Sequence, residues 1–323
     1  MAARSNSSEI TITRIYDAPL RSVWEAWTVP EEVAQWWGPR GFTITTHSRD
    51  LRTGGHWHYT MHGPDGTDYE NTTQYLEVVP LQRMVYDHGG HRERPPLFRV
   101  TALFSERDGR TQLDMSMAFA TPEIARETRG FIKKAGGEGT WDRLAEHLAR
   151  RCTGKEQFFI ARSFDADIER LYQVWTDPEH LARWLPPTGA TMRFLRAEPR
   201  VGSSSFYAMT GADGQVMYGL VRYLALERPT RIVYTQQFCD DKENITRPPF
   251  FADWPETMLT TVELAPEGPD RTRVTVRWEP VDGVTQADIA EFVRQRSGMT
   301  MGWTGSFEKL EALLVGGMGQ SGV

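Results

Sequence analysis

"WEAWTVPEEVAQWWGP" (residues 24–39) and "YQVWTDPEHLARWLPP" (residues 172–187) are one pattern written twice, 148 positions apart. Carried without a gap from residues 14–86 onto 162–234, that offset leaves about one position in three identical. Unrelated sequence gives roughly one in sixteen, so the chain contains an internal duplication. The landmarks run along the whole stretch: Trp27 and Trp175, Pro30 and Pro178, Trp36 and Trp184, Gly54 and Gly202, "RMVY" and "RIVY". Beyond it the register slips, yet "RPPLF" (94–98) still answers "RPPFF" (247–251), and "WDRLAEHL" (141–148) answers "FEKLEALL" (307–314). A period this long exceeds any solenoid repeat, so each copy is a complete domain. The boundaries read as a first domain at 8–151, a linker at 152–156, a second domain at 157–315 and a flexible tail at 316–323.

A chain of 323 residues has room for two such domains, each able to bury its own core. With 39% hydrophobic and 25% charged residues the composition is that of a soluble globular protein. The net charge of −6 and the lack of a basic run argue against nucleic acid as a partner. The start "MAARSNSSE" has no apolar core and no long apolar run follows, so neither a secretory signal nor a membrane span is expected. Cys152 and Cys239 are the only cysteines, which fits two free thiols in a cytoplasmic setting, although a disulfide between them is conceivable.

Both copies share one element order. "EITITRIYD" (9–17) and "QFFIARSFD" (157–165) alternate as strands; a short helix follows, and Pro30 opens a second with Glu31 and Glu32 in its first turn. Six further strands are joined by turn signals such as Asp65-Gly66 and Asp108-Gly109. One long helix, from about Pro122 to Arg150 or from Thr285 to Val315, is expected to close each copy. This is an α+β layout in which an antiparallel sheet curls around the last helix, leaving an apolar cavity between them.

"VWEAWTVPEEVAQWWGPRGFT", "DLRTGGHWHYTMHGPDG" and "YLEVVPLQRMVY" together resemble the START-like (SRPBCC) superfamily, in the branch named after the activator of the ninety-kilodalton heat-shock ATPase. The resemblance covers most of both copies and implies two tandem helix-grip domains, each with a deep hydrophobic pocket. It does not imply one activity, since members bind lipids or aromatics, cyclise polyketides or partner chaperones. The two-copy layout and the glycine-bearing final helices are also similar to tandem START-like proteins of enediyne natural-product pathways. That likeness implies a self-resistance role in which a glycine α-hydrogen is given up to a ligand diradical.

The pocket side chains follow from strand alternation. Trp57, Tyr59 and Met61 share one face in the first copy, and Tyr207 and Met209 share it in the second with Ser205. Trp57 against Ser205 changes pocket volume, and Trp37 against Leu185 is read as a change of mouth or rim. Tyr75, Tyr223, Trp36 and Trp184 complete the sheet and short-helix side of the ligand-binding set, and Tyr218 joins the tyrosines able to donate a proton. Gly130, Gly136, Gly137 and Gly139 lie in one final helix, and Gly298, Gly302 and Gly305 in the other. Each costs a helix interior about 1 kcal/mol relative to Ala, which either space for a ligand or a break in the helix explains. Phe131, Trp141, Met299 and Trp303 flank them and, with Gly302, form the helix side of the set.

Six of the eight histidines fall between residues 47 and 91, but His56 and His58 take the outer sheet face, so no metal and no cofactor are expected. No nucleophile elbow, phosphate loop or zinc motif is present, and no residue is identified as catalytic. The segment 239–256 is extra to the second copy and reads as a lid, an interdomain pad or a homodimer contact. These features point to a partner that is a hydrophobic, aromatic or polyketide-like small molecule. A cyclase acting by pocket shape and a chaperone-binding module are the alternatives.

Overall fold

In the computed structural model of the chain, residues 7–90, 95–134, 139–248, 250–281 and 283–316 are described, with residues 90 and 131–134 described by their backbone alone. The chain divides into two units, Met1–Lys155 and Glu156–Val323. The first contains β1 (Glu9–Tyr16), α1 (Leu20–Thr28), α2 (Pro30–Val33), β2 (Thr43–Arg49), β3 (His56–His62), β4 (Asp68–Val79), β5 (Arg83–Gly90), β6 (Phe98–Arg107), β7 (Arg110–Ala118), α3 (Pro122–Lys134) and α4 (Gly139–Thr153). The second repeats it as β8 (Phe158–Phe164), α5 (Ile168–Thr176), α6 (Pro178–Trp184), β9 (Thr191–Arg196), β10 (Ser204–Thr210), β11 (Val216–Glu227), β12 (Arg231–Cys239), β13 (Thr257–Gly268), β14 (Arg271–Val281), α7 (Gln286–Arg294) and α8 (Arg296–Gly316).

Each unit is one seven-stranded antiparallel sheet, ordered β1-β7-β6-β5-β4-β3-β2 and β8-β14-β13-β12-β11-β10-β9. The first strand of each copy therefore pairs with the last, and the rest form a meander. Period-two burial sets the faces: Thr111, Leu113, Met115 and Met117 of β7 point inward, as do Trp57 and Tyr59 of β3. Gly66 and Gly214 close the same hairpin turn in the two copies with φ of +83° and +80°, a conformation that disfavours side chains.

The short helices begin where local chemistry allows. Asp167 accepts from the Arg170 N–H, and Asp177 from the N–H groups of Glu179 and His180 ahead of Pro178. Trp27, Trp36, Trp175 and Trp184 from these helices are nearly or wholly buried, and burial of a large apolar side chain is worth about 1.5–3 kcal/mol. Helix α8 turns Trp303, Phe307, Leu310 and Leu314 onto its own sheet at helical spacing.

The closing helix of the second copy differs from the expected single rod. In the second copy α7 ends at Arg294 and α8 begins at Arg296, with Gln295 between them at φ −82°, ψ −2°. A capping box of Thr285 and Asp288 starts α7. In the first copy α3 and α4 flank residues 135–138, and Gly136 and Gly137 fall there, outside the described residues.

Candidate functional site

Between the second sheet and α8 lies a cavity of about 380 Å³, inside the roughly 300–1,000 Å³ range of small-molecule sites. Its floor is the inner face of β10 to β12, where Tyr207, Met209, Tyr223, Tyr234 and Gln236 alternate with outward residues. Trp175 and Leu181 wall one side, and Phe251 and Trp254 from the extra segment wall another. The roof is a stripe of α8: Gly298, Met299, Gly302, Trp303 and Ser306 recur at three- and four-residue steps. Among the described residues, no Asp, Glu, His, Lys, Arg or Cys lines the cavity.

One polar contact is built into the floor. Gln236 Nε2 donates to the Tyr207 hydroxyl at 3.1 Å. The Tyr207 ring lies flat against Gly219 of the neighbouring strand; a Cβ there would sit 2.3 Å from the ring and its oxygen. Burial pushes the Tyr207 hydroxyl up to about 12 and raises Tyr223 and Tyr234 in the same direction, so all three stay protonated donors.

The helix glycines divide by role. Gly298 and Gly302 border the cavity, whereas a Cβ on Gly305 would meet Thr188 Oγ1 at 2.4 Å, so that glycine serves the close approach of α8 to the loop at 185–188. Ser306 Oγ donates to the Leu185 carbonyl at 2.7 Å and Lys309 Nζ to the Pro186 carbonyl, pinning the same loop. In the first copy Arg143, the counterpart of Lys309, donates to the carbonyls of Gly38, Pro39 and Phe42 at 2.8–3.1 Å. Gly130 is exposed with open space around it, and nothing in the structure explains it. Gly139 is buried beside Arg40.

Among the described residues, the sheet side of the equivalent place in the first copy is filled by its own side chains. The void bounded by Trp27, Trp37, Arg49, Trp57, Tyr75 and Tyr86 is about 10 Å³, at or below the roughly 10–15 Å³ that holds one water. Three substitutions fill it: Trp37 for Leu185, Arg49 for Ala197 and Trp57 for Ser205. Trp57 stacks on Tyr59 with centroids 4.1 Å apart, and the Arg49 guanidinium lies 4.5 Å from the Trp57 centroid. Arg49 also donates to the Trp27 carbonyl at 2.7 Å and the Tyr75 hydroxyl at 3.3 Å. Trp37 is a core residue rather than a rim residue, 8% exposed, with its Nε1 donating to the Tyr59 hydroxyl at 3.1 Å.

Of the candidate residues, Tyr207, Met209, Tyr218, Tyr223, Met299, Gly302 and Trp303 come together around the open cavity. Trp37, Trp57 and Tyr75 border the closed one, with Tyr59 wholly buried beneath them and Met61 packed against the core. Trp36 and Trp184 are wholly buried and border neither; their indoles donate to the carbonyls of Ala26 and Val174. Trp141 stacks on Trp27 at 5.8 Å, as Trp303 does on Trp175 at 6.0 Å, although Phe307 is the sequence counterpart of Trp141. The Phe131 side chain lies outside the described residues. Sequence reading missed Gln236, Phe238, Trp278 and Gly219; for Gln236 and Phe238, the signal was period-two continuation from Tyr234.

Outside the cavities, His58 and His62 lie on the outer sheet face against Glu70 and Asp68, at 2.8 and 2.6 Å. Among the described residues no group of three or more His, Cys, Asp or Glu is placed to hold a metal ion, and no helix is long and apolar enough to cross a membrane. Cys152 is exposed and Cys239 buried, and they are not bonded to each other.

The chain was also compared with known proteins. The solved structure of protein CV1439 from Chromobacterium violaceum is 29% identical, covering 49% of this chain and 95% of that one, with a TM-score of 0.39. A protein from Arthrobacter aurescens is 28% identical over 49% of this chain and 86% of its own, with a TM-score of 0.42. The di-domain ARO/CYC BexL from the BE-7585A biosynthetic pathway is 15% identical and spans 94% of this chain and 97% of its own, with a TM-score of 0.36. No curated protein matches the chain. The family model described as "Activator of Hsp90 ATPase homolog 1-like protein" matches residues 17–149 and again 165–315. Matched twice, each time from ahead of the first short helix into the closing helix, the chain belongs to the Activator of Hsp90 ATPase homolog 1-like family, with the family's domain present twice.

Proposed function

We propose that the second copy binds one hydrophobic, aromatic or polyketide-like small molecule per chain, and that the first copy is a structural partner whose pocket is closed by its own side chains. The observation that carries this reading is the contrast on the matching stretch of sheet, which borders a cavity of about 380 Å³ in the second copy and, among the described residues, a void of about 10 Å³ in the first. A cavity lined by Trp, Tyr, Phe and Met offers flat, polarisable surface to a ring system. With no charged side chain lining it among the described residues, it favours a neutral ligand, because a buried unpaired charge is costly. Binding, sequestration or self-resistance in cytoplasmic natural-product chemistry fits these walls better than proton-transfer catalysis. The lining tyrosines are held protonated, far from the neutral range where a general acid or base works best. Gly298 and Gly302 are the glycines whose α-hydrogens a ligand in the cavity would approach.

Native mass spectrometry of the full chain with a panel of polycyclic arenes tests the reading. One bound arene per chain is expected, and none when Leu185→Trp and Ser205→Trp together import the first copy's indoles. Two equivalents, or binding that survives in a folded double variant, would refute it.

A further inference from the structure

The floor of the open cavity holds a polar device that the pocket reading leaves unused. Gly219 lets the Tyr207 ring lie across β11, and this carries its hydroxyl to Gln236 on β12, two strands away from its own. Both residues line the cavity, and no other hydrogen-bond partner of the hydroxyl is found among the described residues. A phenol that accepts the amide N–H keeps its own proton to give; if the amide is turned, the phenol donates to the amide oxygen and the NH₂ group is left to give instead. Either way the pair presents a donor to the cavity.

The first copy shows what satisfies the equivalent tyrosine. There Tyr59 is covered by an aromatic ring, the indole of Trp57 at 4.1 Å, and its hydroxyl accepts from another ring, from Nε1 of Trp37 at 3.1 Å. The second copy has Ser205 and Leu185 at those two positions, so the covering ring is missing from the protein itself, while Gln236 takes over the N–H donor's place and leaves the hydroxyl proton to give.

We propose that the Tyr207 hydroxyl, positioned by Gln236 and seated on Gly219, is the polar anchor of the pocket, and that it selects a neutral polycyclic aromatic compound bearing a carbonyl oxygen, of the ketone or quinone class. The proposal rests on the pocket reading above. The oxygen accepts a hydrogen bond from the Tyr207 hydroxyl, while the ring system fills the space that Trp37 and Trp57 occupy in the first copy. A hydroxyl kept protonated by burial is suited to this, since it remains a donor throughout the neutral range. Selectivity follows because a buried donor left without an acceptor is costly, so an arene lacking the oxygen forfeits the contact.

The test is the quenching of tryptophan fluorescence by anthraquinone and by anthracene in the full chain and in Tyr207→Phe, which keeps the ring and loses only the hydroxyl. The substitution is expected to weaken anthraquinone about ten-fold and anthracene less than about two-fold. Gly219→Ala, which displaces the Tyr207 ring, is expected to weaken anthraquinone selectively as well. Equal loss for both probes, or loss for neither, overturns the anchor while leaving the pocket standing. Failure of both probes to bind the unaltered chain removes the pocket reading and the anchor together.

Discussion

Trp57 and Ser205 stand at the same place in two sheets, and an indole separates them. In the first copy that indole is held from three sides, by the Tyr59 ring, the Arg49 guanidinium and a 3.1 Å hydrogen bond to Thr46. Its role as filler predicts the outcome of removal. Trp57→Ser is expected to destabilise the chain by about 3–5 kcal/mol, the usual cost of emptying a core aromatic site. It should also open a second site, so that native mass spectra with anthracene show two equivalents in place of one. An unchanged denaturation midpoint, or a single equivalent despite a folded variant, would count against the plug. The volume difference itself was legible in the sequence, but its partners were not. Arg49 reads as an outward residue on a strand, yet the β2–β3 register shifts between Thr46 and Ser48, and after that bulge Arg49 falls opposite Trp57 and faces inward. Trp37 was equally hidden, because it follows a helix that ends at Val33 and no periodicity fixes its direction.

The segment between β12 and β13 shows what an added element contributes. Phe251 and Trp254 stack at 5.7 Å and close one side of the cavity, which favours the lid among the roles its sequence allowed. Two ion pairs hold it: Glu243 with Arg196 on β9, and Arg247 with Asp288 at 2.6 Å. Asp288 is deeply buried and also caps α7, so the second pair ties the lid to the helix that precedes the cavity roof. Arg247→Ala removes the tie and leaves the cap, since Asp288 keeps its bonds to Thr285. Anthracene should then dissociate about three- to ten-fold faster by stopped-flow fluorescence, with a smaller change in association, as is usual when a contact around a bound ligand is lost. Unaltered dissociation would show that the segment is wall and not lid. At this scale the sequence was informative about every strand, because alternation and turn residues are local. The break at Gln295 was not, because its backbone is close to helical and the helical pattern continues past it.

Across the whole molecule the duplication preserves a triad of floor tyrosines while it changes the pocket above them. Tyr59, Tyr75 and Tyr86 correspond to Tyr207, Tyr223 and Tyr234, and burial raises all six above the ordinary value of 10.0. A tyrosine is neutral when protonated, so near pH 10 the unfolded chain releases protons that the folded chain retains. By linkage the stability these groups contribute is whole below pH 10 and is lost as the pH climbs through the folded values, about 12 for Tyr207. The pairing across the two copies means that neither unit escapes, whether its pocket is open or filled. The chain is therefore expected to show tyrosinate absorbance from only the less buried of its ten tyrosines near pH 10, the rest appearing together with the loss of tryptophan circular dichroism at higher pH. Titration in denaturant should bring all ten forward to about pH 10. If the folded chain instead ionised every tyrosine near pH 10 with its near-ultraviolet spectrum intact, the floor of both sheets would be open to solvent, and the contrast between the filled and the empty copy would lose its physical basis.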